Sequence, residues 1–225
     1  MKNLWHFGDS YGTGEWGDDL ARKLKLNHIQ CSKGGQSNYQ ILFDIIKYMN
    51  EINEGDLVLI NWSFMSRGTI MDINSKRGIS LNNFYDDENK QITDIAKQKV
   101  IQFIDYNINN TFQMQSALLF LASEIQNRLV ERGVDVRSVF VKKELKKMGK
   151  NIIWPTHNFG LIELDFGEYG YIFWLKKMGY CGMDNEEDRG SENAHIKKGH
   201  TDIISEEYKK RIENGEKRRK DVQIL

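Results

Sequence analysis

The run Leu57-Val58-Leu59-Ile60, entered from Asp56, is apolar at every position. A strand with one wet face alternates apolar and polar residues, so an unbroken apolar run of this length belongs to a strand covered on both sides, the usual state in a parallel sheet. Parallel neighbours need crossover connections, and the flanking segments supply them. Leu4-Trp5-His6-Phe7 reads as a first strand that stops at the turn Gly8-Asp9-Ser10, and Asp18 to Leu26 as a helix with Leu20, Ala21 and Leu24 on one face. His28-Ile29-Gln30-Cys31 is a second strand; beyond Gly34-Gly35, Ile41, Ile45, Ile46 and Met49 recur at helical spacing.

Further along, Ser66 to Lys90 is polar and weakly periodic, which reads as an excursion from the sheet, and Ile92 to Arg132 as two helices. Val134 to Val141 is a fourth strand, Lys142 to Met148 a short helix, and Asn151-Ile152-Ile153-Trp154 a fifth strand stopped by Pro155. Lys198 to Asn214 closes the chain as a helix with Ile203, Ile204, Tyr208 and Ile212 inward, followed by a short basic run read as a solvated tail. The alternation predicts one α/β domain over residues 1–225, with a mostly parallel sheet of about five strands and insertions at about 64–92 and 156–190.

Composition narrows the function. With 32 Lys and Arg against 32 Asp and Glu, the net charge is 0, and nothing draws the whole chain to nucleic acid or an anionic membrane. No apolar stretch approaches the roughly 18 residues of a spanning helix, and the N-terminus reads as carrying no export signal. Cys31 and Cys181 are too few and too far apart for a disulfide framework or a zinc site, so they read as reduced thiols of a cytoplasmic chain. No metal or cofactor is expected: Gly12-Thr13-Gly14-Glu15-Trp16-Gly17 spells G-x-G-x-x-G, but its first glycine comes five residues after Phe7 and no acidic residue ends the second strand. Those glycines are expected to let the loop after Ser10 pass close to a substrate.

Open α/β sheets bind ligands at the carboxyl ends of their strands. Three polar junctions fall there: Gly8-Asp9-Ser10, Gly34-Gly35-Gln36-Ser37-Asn38 and Asn61-Trp62-Ser63. A fourth cluster, Ser191-Glu192-Asn193-Ala194-His195 through Gly199-His200, precedes the last helix. A strand-end serine with a late histidine suits nucleophilic catalysis, in which an imidazole takes the hydroxyl proton. His6 and His28 sit in strands and read as core or edge histidines, whereas His157, after the fifth strand, is a candidate substrate contact. The aromatic stretch from Phe159 to Tyr180 reads first as a small second core and otherwise as a lid.

These blocks resemble the SGNH (GDSL-like) hydrolases, a family with a three-layer α/β/α flavodoxin-like fold that cleaves mainly esters of lipids, acyl carriers and sugars. Phe7-Gly8-Asp9-Ser10 matches the first block, and the resemblance makes Ser10 the nucleophile, its N–H also facing the oxyanion. Gly35-Gln36-Ser37 matches the second, which contributes the Gly35 N–H. The third block is usually Gly-x-Asn-Asp; here Asn61-Trp62-Ser63-Phe64 puts Ser63 in the asparagine's register and leaves Asn61 and Ser63 as alternative third donors. Outlying members, phage-encoded ones included, carry Trp-Ser followed by an arginine, which Arg67 fits. In the last block Glu192-Asn193-Ala194-His195 replaces Asp-x-x-His, making His195 the general base and Glu192 its orienting carboxylate, with Asp184 and Asp188 as substitutes.

The resemblance implies a serine esterase, and the polar, aromatic-lined surround points to a small acyl or carbohydrate O-acetyl ester. Asp9, Asn38, Arg67 and His157 are the expected substrate contacts. The altered third and fourth blocks sustain an alternative, a non-catalytic module that uses the scaffold for binding or virion assembly.

Overall fold

The computed structural model describes residues 1–63, 69–72, 77–80, 117–141, 144–147, 150–153, 160–180 and 199–222, with the backbone alone at 69–72, 77–80, 144–147, 150–153 and 216–222. In chain order these form β1 (Asn3–Gly8), a 3-10 turn (Ser10–Gly12), α1 (Glu15–Leu24), β2 (Asn27–Gln30), α2 (Asn38–Tyr48) and β3 (Leu57–Trp62). A hairpin of β4 (Thr69–Asp72) and β5 (Arg77–Ser80) follows, then α3 (117–131), β6 (Asp135–Phe140), β7 (Glu144–Lys147), β8 (Lys150–Ile153), α4 (Tyr171–Lys177) and α5 (Thr201–Val222).

The main sheet is parallel in the order β2-β1-β3-β6. β3 lies at its centre and is buried at all six positions, as its unbroken apolar run requires. The fifth strand position is taken by a segment other than the one expected. Ser138 of β6 donates its N–H to Ile162 O at 2.8 Å and accepts from Leu164 N at 2.8 Å, a parallel bridge centred on Glu163. That bridge extends the order β2-β1-β3-β6 by one position on the outer side of β6, in the manner of a doubly wound sheet.

The expected fifth strand, Asn151–Trp154, is represented by β8, which pairs antiparallel with β7 where a helix over Lys142–Met148 was expected. Two four-residue strands joined by two residues satisfy each other's backbone groups locally, which a seven-residue helix with open ends cannot do. Of the two helices expected over Ile92–Arg132, the described part is α3; the rest lies outside the described residues.

Alternation along the strands sorts the core into two layers. One face sends Trp5, Phe7, Val58, Ile60, Val136 and Phe140 against Ile41, Leu42 and Ile45 of α2 and Leu118, Leu119, Ala122 and Leu129 of α3. The other sends Leu4, Leu57, Leu59 and Val139 against Trp16, Leu20 and Ala21 of α1, Tyr171 and Leu175 of α4, and Ile204, Tyr208 and Ile212 of α5. The result is a three-layer α/β/α arrangement. Ile203, expected inward, is 42% exposed, because residues 204, 208 and 212 form the buried i, i+4 stripe and 203 stands about 100° round the helix. Of the described aromatics in the 159–180 stretch, Phe166 and Tyr171 belong to this second core, their rings 5.0 and 5.5 Å from Tyr208, whereas Tyr169 and Phe173 are exposed.

The amino edge of the sheet is closed by Asp56, whose carboxylate accepts from Asn3 N, Asn53 N and Trp5 Nε1 at 2.8–3.0 Å. Burial works against its charge, but these donors outweigh it and hold its pKa below the usual carboxylate range. Open polar chemistry is left to the carboxyl edge.

Candidate active site

β1 ends at Gly8 because β3 lies too close for anything larger. A Cβ there would stand 2.8 Å from Asn61 Cβ and 3.0 Å from Asn61 O. Asp9 then caps the 3-10 turn: its Oδ1 accepts from Tyr11 N at 3.0 Å and its backbone O from Gly12 N at 2.9 Å. The Thr13 hydroxyl donates to Ser10 O at 2.7 Å and closes the turn from the far side. Ser10 is half-buried between the fully buried Asp9 and Tyr11, at the exit of a central strand.

The second junction begins where Lys33 N reaches back to Gly8 O at 3.0 Å. Gly35 has φ +76°, a conformation that favours glycine, and among the described residues nothing lies within 4 Å of where its Cβ would stand. Ser37 and Gln40 then form a reciprocal capping box that starts α2.

The third junction is tied to both of the others. Asn38, the first residue of α2, accepts from Ser63 N at 2.6 Å through Oδ1 and donates Nδ2 to Ser63 O at 3.2 Å. The Ser63 hydroxyl donates to Asp9 Oδ2 at 2.7 Å. The ends of β1 and β3 and the start of α2 are thus joined by side chains that are all at most 1% exposed. Where the sequence suggested substrate contacts at Asp9 and Asn38, the structure has both fully buried and bonded to the protein.

Asn61 faces the other way. Alternation along β3 directs it, with Leu57 and Leu59, to the α5 side, where its Nδ2 donates to Tyr208 Oη at 3.0 Å. The signal was present in the sequence, since Asn61 shares the parity of Leu57 and Leu59 and Tyr208 that of the inward stripe of α5. Burial pushes the pKa of the Tyr208 hydroxyl up, keeping it a neutral partner.

Beneath the Ser10 turn lies a buried polar cluster, in which His6 takes the core place its strand position implied. His6 is fully buried, its ring 4.7 Å from Trp16 and 5.8 Å from His28; neither nitrogen makes a well-formed hydrogen bond among the described residues, although Asn61 and Gln30 lie close enough to oppose the fall of its pKa, and Trp16 Nε1, His28 Nε2 and Asn61 Oδ1 are likewise without a well-formed bond there. Burial, with the neighbouring His28, pulls the His6 pKa down to about 3. Asp18 Oδ1 stands 2.6 Å from His28 Nδ1. Gly12 and Gly17 make room for this packing: a Cβ at Gly12 would lie 2.6 Å from Ser32 Oγ, and one at Gly17 would lie 2.8 Å from His28 Cε1.

His195 and Glu192, with Asp184, Asp188, Arg67 and His157, lie outside the described residues. The chain next to them is visible at His200, which is half-buried with its ring 5.1 Å from Tyr180 and whose carbonyl accepts from Ile204 N at the start of α5. That start is fastened to α1, with Lys23 Nζ 2.6 Å from Asp202 Oδ1 and the Ser205 hydroxyl bonded to Asp19. Six residues on from His195, Thr201 allows the chain a reach of about 20 Å when extended. Among the described residues no cluster of three or more His, Cys, Asp or Glu side chains could hold a metal, and no helix is long and apolar enough to cross a membrane.

No protein-family model matches the chain, and no curated protein sequence matches it. Among solved structures it is similar to a GDSL-like lipase from Bacteroides thetaiotaomicron VPI-5482, with a TM-score of 0.44 and 11% identity, covering 95% of this chain and 88% of that one.

Proposed function

We propose that this chain is a serine ester hydrolase of the SGNH type that acts on a small acyl or O-acetyl ester, with a carbohydrate ester as the substrate class. The observation that supports this reading is the convergence of the three polar junctions at the carboxyl edge, with Ser10 half-buried beside the capped Asp9 turn and Gly35, at positive φ, next in the chain order of the motif.

In this reading His195 takes the Ser10 hydroxyl proton as Oγ attacks the ester carbonyl, and Glu192 holds the other ring nitrogen and steadies the imidazolium. Negative charge on the carbonyl oxygen meets the N–H groups of Ser10 and Gly35, donors that need no reorganisation. The alcohol leaves with the proton from His195 and leaves an acyl-Ser10. Water, deprotonated by His195, then releases the acid and returns the proton to Ser10. Arg67 and His157 are the substrate contacts of this reading.

Labelling with a small fluorophosphonate, together with turnover of nitrophenyl acetate, tests it. Ser10→Ala abolishes labelling, and His195→Ala and Ser10→Ala each reduce turnover by roughly a thousandfold or more, since triad members act as a unit. Activity falls on acidification through about pH 6.5, the ordinary imidazole range. A His195→Ala variant with near-full activity overturns the assignment. A second reading, a binding module on the same scaffold, is favoured by Asn61 and Ser63 both donating within the protein; it is the outcome if the folded protein neither labels nor turns over ester.

A further inference from the structure

Resting on Ser10 as the nucleophile, we propose that Ser63 is a positioning residue that acts on Ser10 through Asp9, and that the oxyanion is left to the backbone donors of Ser10 and Gly35. A serine hydroxyl has one proton to donate. That of Ser63 is directed at Asp9 Oδ2 at 2.7 Å, in a site where Ser63 is 1% exposed and Asp9 fully buried.

The Ser63 backbone is fixed as well, N–H and C=O both held by the Asn38 carboxamide at 2.6 and 3.2 Å. Turning the hydroxyl towards an oxyanion would take this donor from a buried carboxyl oxygen and leave that oxygen short of a partner it now has, at a cost in desolvation. That cost opposes the move. The other oxygen of Asp9 receives Tyr11 N at 3.0 Å, so the carboxyl group held by Ser63 is the one that sets the turn carrying the Ser10 N–H and hydroxyl. Asn61, the alternative third donor, is fully buried and donates to Tyr208 on the opposite face. Gly35, by contrast, has none of the described residues within 4 Å of where a side chain would stand.

The difference is readable in a double-mutant cycle of Ser63→Ala and Asp9→Asn. Removing a group that orients the nucleophile costs roughly ten- to a hundredfold in kcat with little change in KM. If Ser63 acts through Asp9, the double variant is no slower than Asp9→Asn alone, and amide exchange at Tyr11 N–H speeds up in Ser63→Ala as it does in Asp9→Asn. Rate losses that multiply, or a slower Ser63→Ala enzyme with unchanged Tyr11 exchange, overturn the proposal and make Ser63 a direct donor. Ser63→Cys, whose thiol is a weak donor, carries the same cycle if the alanine variant does not fold. Failure of the catalytic reading shows separately as a wild-type protein inert to fluorophosphonate. The Tyr11 exchange arm then still decides whether Ser63 holds the turn, since unchanged exchange overturns that role.

Discussion

Under α2 and α3 the sheet is almost wholly hydrocarbon, Trp5, Phe7, Val58, Ile60 and Val136 meeting Ile41, Ile45 and Leu119, whereas under α1 and α5 it buries His6, Asn61, Arg137 and Tyr208 among its apolar residues. The first face keeps the rule that interiors are apolar save for Ser138 and Gln126, which are buried there with hydrogen-bond partners. The second breaks it, and several polar atoms there lack a well-formed hydrogen bond among the described residues directly beneath the Ser10 turn. Buried polar groups cost stability unless satisfied, so a chain that retains them needs a stable counterpart elsewhere. The contrast teaches a division of labour: the α2/α3 face supplies cohesion, and the α1/α5 face supports the carboxyl edge where the candidate site stands.

Substitutions on the two faces break or sharpen this contrast. Ile45→Ala, at a fully buried position in the apolar layer, is expected to lose about 2–5 kcal/mol in urea unfolding, by lost transfer energy plus a cavity. A loss below about 1 kcal/mol would remove that layer's claim to carry the fold.

Next in size is an acid effect confined to the polar face. Burial, and then the neighbouring His28, lower the His6 pKa from 6.5 to about 3, so the native state keeps it neutral while the unfolded chain takes up a proton below about 6.5. Its contribution is whole above that pH and is lost as pH falls towards 3, at up to about 1.4 kcal/mol per pH unit, or roughly 3 kcal/mol by pH 4. Unfolding midpoints followed from pH 7 to 4 should fall less steeply in His6→Leu than in wild type; parallel curves would show that His6 is not held neutral.

Tyr208→Phe leaves the ring in place and strips Asn61 Nδ2 of its acceptor, for an expected loss of about 1–3 kcal/mol in the same unfolding assay. A neutral result would mean that the carboxamide finds another partner. The smallest effect belongs to Asp202→Ala, at the rim of the same face. Its carboxylate is 82% exposed beside Lys23, so removal is expected to cost less than about 1 kcal/mol and to vanish in high salt. A larger or salt-insensitive loss would make the α1–α5 fastening a structural anchor.

Much of the parallel sheet was legible in the chain because its strands are mostly apolar: Leu57–Ile60 is an unbroken apolar run, Leu4–Phe7 is interrupted only by His6, and Val134–Val141 keeps apolar residues at five of eight positions. The fifth position was not. Ile162-Glu163-Leu164 is a three-residue alternation with no run to mark it, while the stronger local signal at Asn151–Trp154 fell to an antiparallel partner a few residues upstream. Hydrophobic pattern identifies a strand but not which neighbour will satisfy its backbone. The junctions divide in the same way. Gly8-Asp9-Ser10 and Gly35-Gln36-Ser37 stand out by residue type and place in the chain, whereas the Ser63 hydroxyl joins Asp9 across 54 residues, a distance no local pattern spans.

Sequence alone determined that this chain forms an α/β layer structure, that polar turns follow its first three strands, and that Asn61 shares the parity of the inward-facing leucines of β3. Those follow from backbone periodicity, which acts over a few residues. Tertiary structure alone decided that Asp9, Ser63 and Asn38 form one network, that His6 is buried neutral beneath the turn, and that Gly12 and Gly17 make room for histidine and serine side chains. Each of these depends on which groups meet in the folded state to replace the water they have lost, and that exchange is settled only when separate segments of the chain come together.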